Sequence, residues 1–150
     1  MADALRVNAS MTVADLRYNK LDTEAATMLV EIAKEKKISL CGIKPGQTEV
    51  DFTPSEENNY NKMNPADVIL LTADLAVIAS VTSVTLFHNN LDKESATMLT
   101  MVAKEKQISL CGIAPDQKKV DFSRMGLDPI DAMLIASDLS GVRASLTSLR

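Results

Sequence analysis

The chain has 150 residues, enough for one domain with a real core or for several stacked repeats. Its net charge of −4 argues against a general nucleic-acid binder, which needs a basic face to neutralise phosphates, and no apolar run approaches the roughly 20 residues that span a bilayer. With no Trp, two Tyr and three Phe, the core must be built from Leu, Ile, Val, Met and Ala.

In chain order, Met1 to Ser10 lacks the basic and apolar stretches of a secretory signal. Leu5 and Val7, followed by Asn8 and Ser10, read instead as the tail of a helix running into a repeat. Residues 12–17 alternate apolar and polar side chains and predict a short strand with Ala14 and Leu16 inward. Asp22 is an N-cap, with Glu24 in the first turn, for a helix whose apolar face is Ala25, Met28, Leu29, Ile32 and Ala33. Its last turn carries A-K-E-K, where lysines suit the negative end of the helix dipole. The following I-S-L-C-G-I-K-P holds Gly42 and Pro45 and predicts a turn back toward the next strand. That strand is 48–53, with Val50 and Phe52 inward. A polar insert at 53–64 should project as a loop. Asn64 then caps a helix that starts at Pro65 and has the apolar face Val68, Leu71 and Leu75.

The same order then starts again. Shifted by 70 residues, 10–52 falls on 80–122 with 26 of 43 positions identical, which means a tandem duplication of 10–79 and 80–145. Each copy holds two strand-helix units, A and B. The second A unit has Val84 and Leu86 inward, an N-cap at Asp92, and the helix face Ala96, Leu99, Val102 and Ala103. The second B unit has Val120 and Phe122 inward, Asp128 before Pro129, and the face Ala132, Ile135 and Leu139. Leu146 to Arg150 begins a fifth strand.

The A units read M-T-V-A-D-L-R-Y-N-K-L and V-T-S-V-T-L-F-H-N-N-L. This resembles the leucine-rich repeat, L-x-x-L-x-L-x-x-N-x-L, in its long, ribonuclease-inhibitor-like form. The B units depart from it: Met125 stands at the asparagine position of the second, and the first loses that position within the insert. The resemblance implies an α/β right-handed solenoid, a horseshoe segment of about four strand-helix repeats plus a partial fifth strand. The parallel sheet would lie on the concave face and the helices on the convex face. The turn asparagines Asn19 and Asn89 would bond backbone groups at the exit of the strand and link neighbouring turns.

On that fold the outward strand residues Asp15, Arg17, Asp51, Thr53, Thr85, Phe87, Asp121 and Ser123 line the concave face as candidate partner-binding residues. Asp15 and Asp51 would face each other across adjacent strands, and Phe87 would be an exposed aromatic anchor. An acidic stripe beside an aromatic suits a basic protein partner. Nothing assembles into a catalytic group. His88 is the only histidine and lacks the companions of a zinc site, so neither metal nor cofactor is expected. Cys41 and Cys111 recur with the repeat, are too few for a secreted disulfide framework, and read as buried small hydrophobes of an intracellular, cytoplasmic protein. Met28, Met98 and Met133 read as core.

The expected function is a non-enzymatic protein-interaction or scaffold module in a larger assembly, with self-association through exposed repeat ends and no membrane insertion. The alternative is a regulator, inhibiting or activating an enzyme such as a hydrolase or small GTPase.

Overall fold

The computed structural model describes residues 3, 7, 10–142 and 146–150. The expected helix tail falls almost wholly outside them. Four α-helices follow one another: α1 (Thr23–Lys36), α2 (Pro65–Val77), α3 (Lys93–Lys106) and α4 (Pro129–Ser137). Four short strands alternate with them: β1 (Glu49–Asp51), β2 (Ser83–Thr85), β3 (Lys119–Val120) and β4 (Ser148–Leu149).

Local chemistry sets the helix ends. Asp22 and Asp92 accept the N–H of Ala25 and Ser95 at 2.8 and 2.7 Å, so both A helices start where the sequence placed them. Both B helices begin with a full capping box, Asn64 with Asp67 and Asp128 with Asp131, followed by proline in the first turn. The A helices stop on left-handed residues, Lys37 (φ 56°) and Gln107 (φ 59°), whose N–H groups return to the last turn. In the second copy α4 ends early and passes into a π-turn, Asp138–Val142.

Each helix packs on the next, α1 on α2, α2 on α3 and α3 on α4. They enclose one core that includes Phe52, Leu71, Leu75, Leu86, Leu99 and Leu110. Val68, Leu71 and Leu75 are buried as expected. Two helix faces are rotated from the expectation. Met28 is 55 % exposed while Ala26 and Val30 are buried, and in α4 Leu134 is buried while Ala132 is exposed. Cys41 and Cys111 are buried free thiols.

The right-handed horseshoe solenoid with one parallel sheet is not what forms. Among the described residues this is a small mixed α/β fold with four helices and two separate two-stranded parallel sheets, β1–β2 and β3–β4. The reason lies in I-S-L-C-G-I, expected as a turn. In the first copy Ala14 and Leu16 donate to the carbonyls of Ser39 and Leu40, while Ser39 and Gly42 donate to those of Thr12 and Ala14. Residues 13–15 are thus held by isolated bridges to 39–41, and the edge that would have joined the B strand is already occupied. In the second copy Val84 and Ser109 make the equivalent bonds, so 109–111 stands beside β2 and β3 pairs elsewhere. Asp15 therefore lies against Cys41, and Asp51 against Thr85; the two aspartates do not face each other.

Candidate functional site

The outward residues of the strand segments form the candidate surface. β1 displays Glu49 and Asp51 on one side of buried Val50, as its period of two requires. Asp51 also accepts the N–H of half-buried Thr53 at 2.8 Å. Asp121 repeats this turn with exposed Ser123 at 2.8 Å. The Ser123 hydroxyl and N–H hold the Asp121 carboxyl below its ordinary value. Thr85, half-buried, pairs with Asp51 across the sheet.

Asp15 is exposed but not free. The Arg17 guanidinium grips both of its oxygens, Nε to Oδ1 at 2.8 Å and Nη2 to Oδ2 at 2.5 Å. The same guanidinium lies 4.4 Å above the Phe52 ring centroid, so Arg17 seals the apolar edge of Phe52 while neutralising Asp15. Burial pushes the Asp15 carboxyl up, but its bonds and charge contact with Arg17 outweigh this and hold it below its ordinary value.

Phe87 is not an exposed anchor. It is 2 % exposed and packs edge-to-face against Phe122 at 5.4 Å. β2 ends at Thr85, so the alternation no longer applies beyond it, and Leu86 and Phe87 both turn into the core. The candidate surface is therefore polar, with its carboxylates unevenly compensated.

The turn asparagines differ. Among the described residues, Asn19 donates to carbonyls of its own turn, Leu16 at 2.9 Å and Arg17 at 3.3 Å. Asn89 is buried and ties three segments together: it accepts the Met63 N–H at 2.7 Å and donates to Phe52 and Leu86 carbonyls at 2.9 and 3.0 Å. The insert is consequently pinned at its end by fully buried Met63, while Tyr60 stands out at 63 % exposure.

Four aspartates went unassigned in the sequence reading, and all are structural. Asp74 of α2 accepts from the Ser39 hydroxyl at 2.7 Å and from the Leu40 and Cys41 N–H groups at 2.9 Å each. Asp138 does the same for Ser109, Leu110 and Cys111, at 2.6, 3.0 and 3.2 Å. Asp67 and Asp131 close their own capping boxes and also accept the N–H of Tyr18 and His88, residues held at φ 62° and 63°. Two Asp seven residues apart in a largely apolar segment, repeated in both copies as Asp67 and Asp74 and as Asp131 and Asp138, was the available signal. An acid near a helix C-terminus opposes the dipole and implies a fixed partner elsewhere.

These carboxyls set a pH dependence. Burial raises Asp67, Asp74 and Asp138 above the ordinary aspartate value, only partly offset by their N–H and hydroxyl donors. A raised folded pKa means stability that is fully present below the unfolded value of about 3.9 and is lost as pH rises through the folded value. Asp15 is depressed, so its contribution is present above about 3.9 and is lost as pH falls through its folded value. Urea midpoints are therefore expected to rise as pH falls from neutral through the raised folded values of Asp67, Asp74 and Asp138 toward about 3.9. The Asp15–Arg17 contribution is lost only at more acidic pH, and Asp15→Asn should remove that part of the decline.

Among the described residues no three His, Cys, Asp or Glu side chains converge as metal ligands, and no helix is long and apolar enough to cross a membrane. His88 Nδ1 lies 3.7 Å from buried Asp131, beside the Phe87 ring. No protein-family model matches this chain, and a search of the curated proteins finds no match.

Proposed function

We propose that this protein is a non-catalytic interaction module whose strand face receives a basic segment of a protein partner. The observation that carries this reading is the pair Glu49 and Asp51. Both are exposed on the same side of β1, and no cation lies within ion-pair distance of either among the described residues. Their spacing along the strand, about 6.6 Å, matches alternate side chains of an extended peptide. Two Lys or Arg residues at that spacing would meet both carboxylates, with Thr85 beside them as a polar contact. Asp15 contributes less, because Arg17 already compensates it. The two buried free cysteines support an intracellular setting.

Charge reversal tests the reading. Glu49→Lys with Asp51→Lys should weaken capture of the protein's partner from its own cell extract roughly tenfold or more, with a steep salt dependence in the unaltered protein. Asp15→Asn should change capture little. Undiminished binding by the double reversal would refute the assignment of this face.

A further inference from the structure

The 53–64 insert has no counterpart in the second copy, where six residues, Ser123 to Asp128, cover the same step. It is nevertheless a defined structure. Asn89 holds both of its ends, donating to the Phe52 carbonyl at 2.9 Å and accepting the Met63 N–H at 2.7 Å. That closure makes the segment between them an Ω-loop springing from the end of β1. Inside it, Glu56–Asn58 forms one 3₁₀ turn. Asn59 and Tyr60 donate to the Glu56 and Ser55 carbonyls at 3.1 and 2.7 Å and take up positive φ, 53° and 54°. The turn sets the Tyr60 hydroxyl 3.4 Å from Glu56 Oε1. Tyr60 is 63 % exposed, and Glu56 and Glu57 are exposed beside it.

The first A unit shows what a ring paired with a carboxylate accommodates. The Arg17 guanidinium lies 4.4 Å from the Phe52 ring centroid and 5.1 Å from that of Tyr18, while its Nε donates to Asp15. The aromatic faces take up the flat cation and the carboxylate neutralises it. Tyr60 and Glu56 present the same two groups at the surface. Among the described residues no guanidinium lies over Tyr60, and no cation lies within ion-pair distance of Glu56 or Glu57.

We infer that the insert is a second element of the partner surface, in which Tyr60 and Glu56 receive an arginine of the basic segment on β1. This rests on the β1 assignment and adds the contact that selects among basic segments. Tyr and Arg are enriched among the residues that carry most of the energy of interfaces, and a preformed loop loses little freedom on binding. Chain geometry limits where the arginine stands in the partner. Asp51 adjoins Phe52 at one end of the loop base. Tyr60 is three residues from Met63 at the other, so its Cα lies within about 11 Å of that end. An extended chain covers this distance in about four residues, which places the arginine about four residues beyond the cation that meets Asp51. Lysine fits less well there, because a point charge cannot lie flat on the ring and bond the carboxylate in its own plane.

Peptide titrations of the full chain, read by fluorescence anisotropy and amide chemical shifts, test this. The first probe is an extended peptide with two lysines at alternate positions. Two longer probes add four residues ending in arginine, one at each end of the peptide, because the strand direction of the partner is open. Their controls end in alanine. One arginine peptide should bind about three- to fivefold more tightly than its alanine control. It should also shift the Glu56, Glu57 and Tyr60 amides, which the two-lysine probe leaves in place. Tyr60→Ala and Glu56→Gln should each cut the gain without changing affinity for the two-lysine probe, and Tyr60→Phe should keep it. Both side chains are exposed, so these variants fold. Equal affinity of the arginine and alanine peptides, or a gain that survives Tyr60→Ala, would overturn the inference, while binding of the two-lysine probe would leave the β1 assignment standing. Binding of none of the peptides would overturn both.

Discussion

Asp74→Ala is expected to lower the unfolding free energy by roughly 3–5 kcal/mol, because it strands three donors at once. The Ser39 hydroxyl and the Leu40 and Cys41 N–H groups all end on this carboxylate. All three residues are buried, so water cannot replace the lost acceptor. A buried donor left unpaired costs about 1–3 kcal/mol, and a domain of this size has only about 5–15 kcal/mol in total. Asp74→Asn is not a mild version. Its amide presents an N–H₂ where the protein presents N–H donors, so one side of the contact becomes donor against donor. Asp138→Ala should behave alike, since Ser109, Leu110 and Cys111 repeat the arrangement. Asp51→Ala is the control: Asp51 is exposed and caps only Thr53, and a loss under about 1 kcal/mol is expected. Urea unfolding followed by circular dichroism distinguishes these values. A midpoint for Asp74→Ala equal to that of Asp51→Ala would remove Asp74 from its structural role.

The role of Asp74 marks the boundary of what the sequence discloses. Duplication, helix positions and all four N-caps were legible, because caps and apolar periodicity are set by residues within one or two turns of each other. The strands β1 and β2 were legible too, with Val50 and Val84 buried as their alternation requires, whereas 12–17 forms only isolated bridges. The architecture built from them was not. I-S-L-C-G-I carries glycine and is followed by proline, which locally reads as a turn. Asp74, more than 30 residues away, holds it extended against the A strand. Once 39–42 takes the backbone donors and acceptors of 12–16, a continuous sheet has no edge to continue on. Phe87 failed for a related reason. Alternation was extended past Thr85, where the backbone is already turning toward the positive φ of His88. In the candidate surface, the alternation of 48–53 placed Asp51 outward, and it is exposed on β1. That Arg17 would bend back onto Asp15 and cover Phe52 is a tertiary fact with no local signature.

The two turn asparagines occupy the same repeat position, yet their removal is expected to have very different effects. Asn89→Ala should cost about 2–4 kcal/mol, because it leaves the Met63 N–H and the Phe52 and Leu86 carbonyls without their partner inside the fold. Asn19→Ala should cost under about 1 kcal/mol, because Asn19 is exposed and its two carbonyl acceptors can turn to water. The difference is also local in a measurable way. Met63 is fully buried and anchors the end of the 53–64 insert, so losing Asn89 should release that end before the rest of the domain opens. Amide exchange at Met63 should then accelerate by more than the global loss of stability accounts for, while α1 and the 39–41 bridge keep exchange rates set by global unfolding alone. Equal losses for the two substitutions would mean that the turn asparagine acts only within its own turn. A Met63 amide that tracks global stability would mean that the insert is held by the Met63 side chain alone. Since Phe52, Leu86 and Met63 come from the first B strand, the second A strand and the insert, the expected asymmetry makes Asn89 the polar tie across the junction of the two copies. The junction's apolar contacts, however well packed, leave those three backbone groups unsatisfied without it.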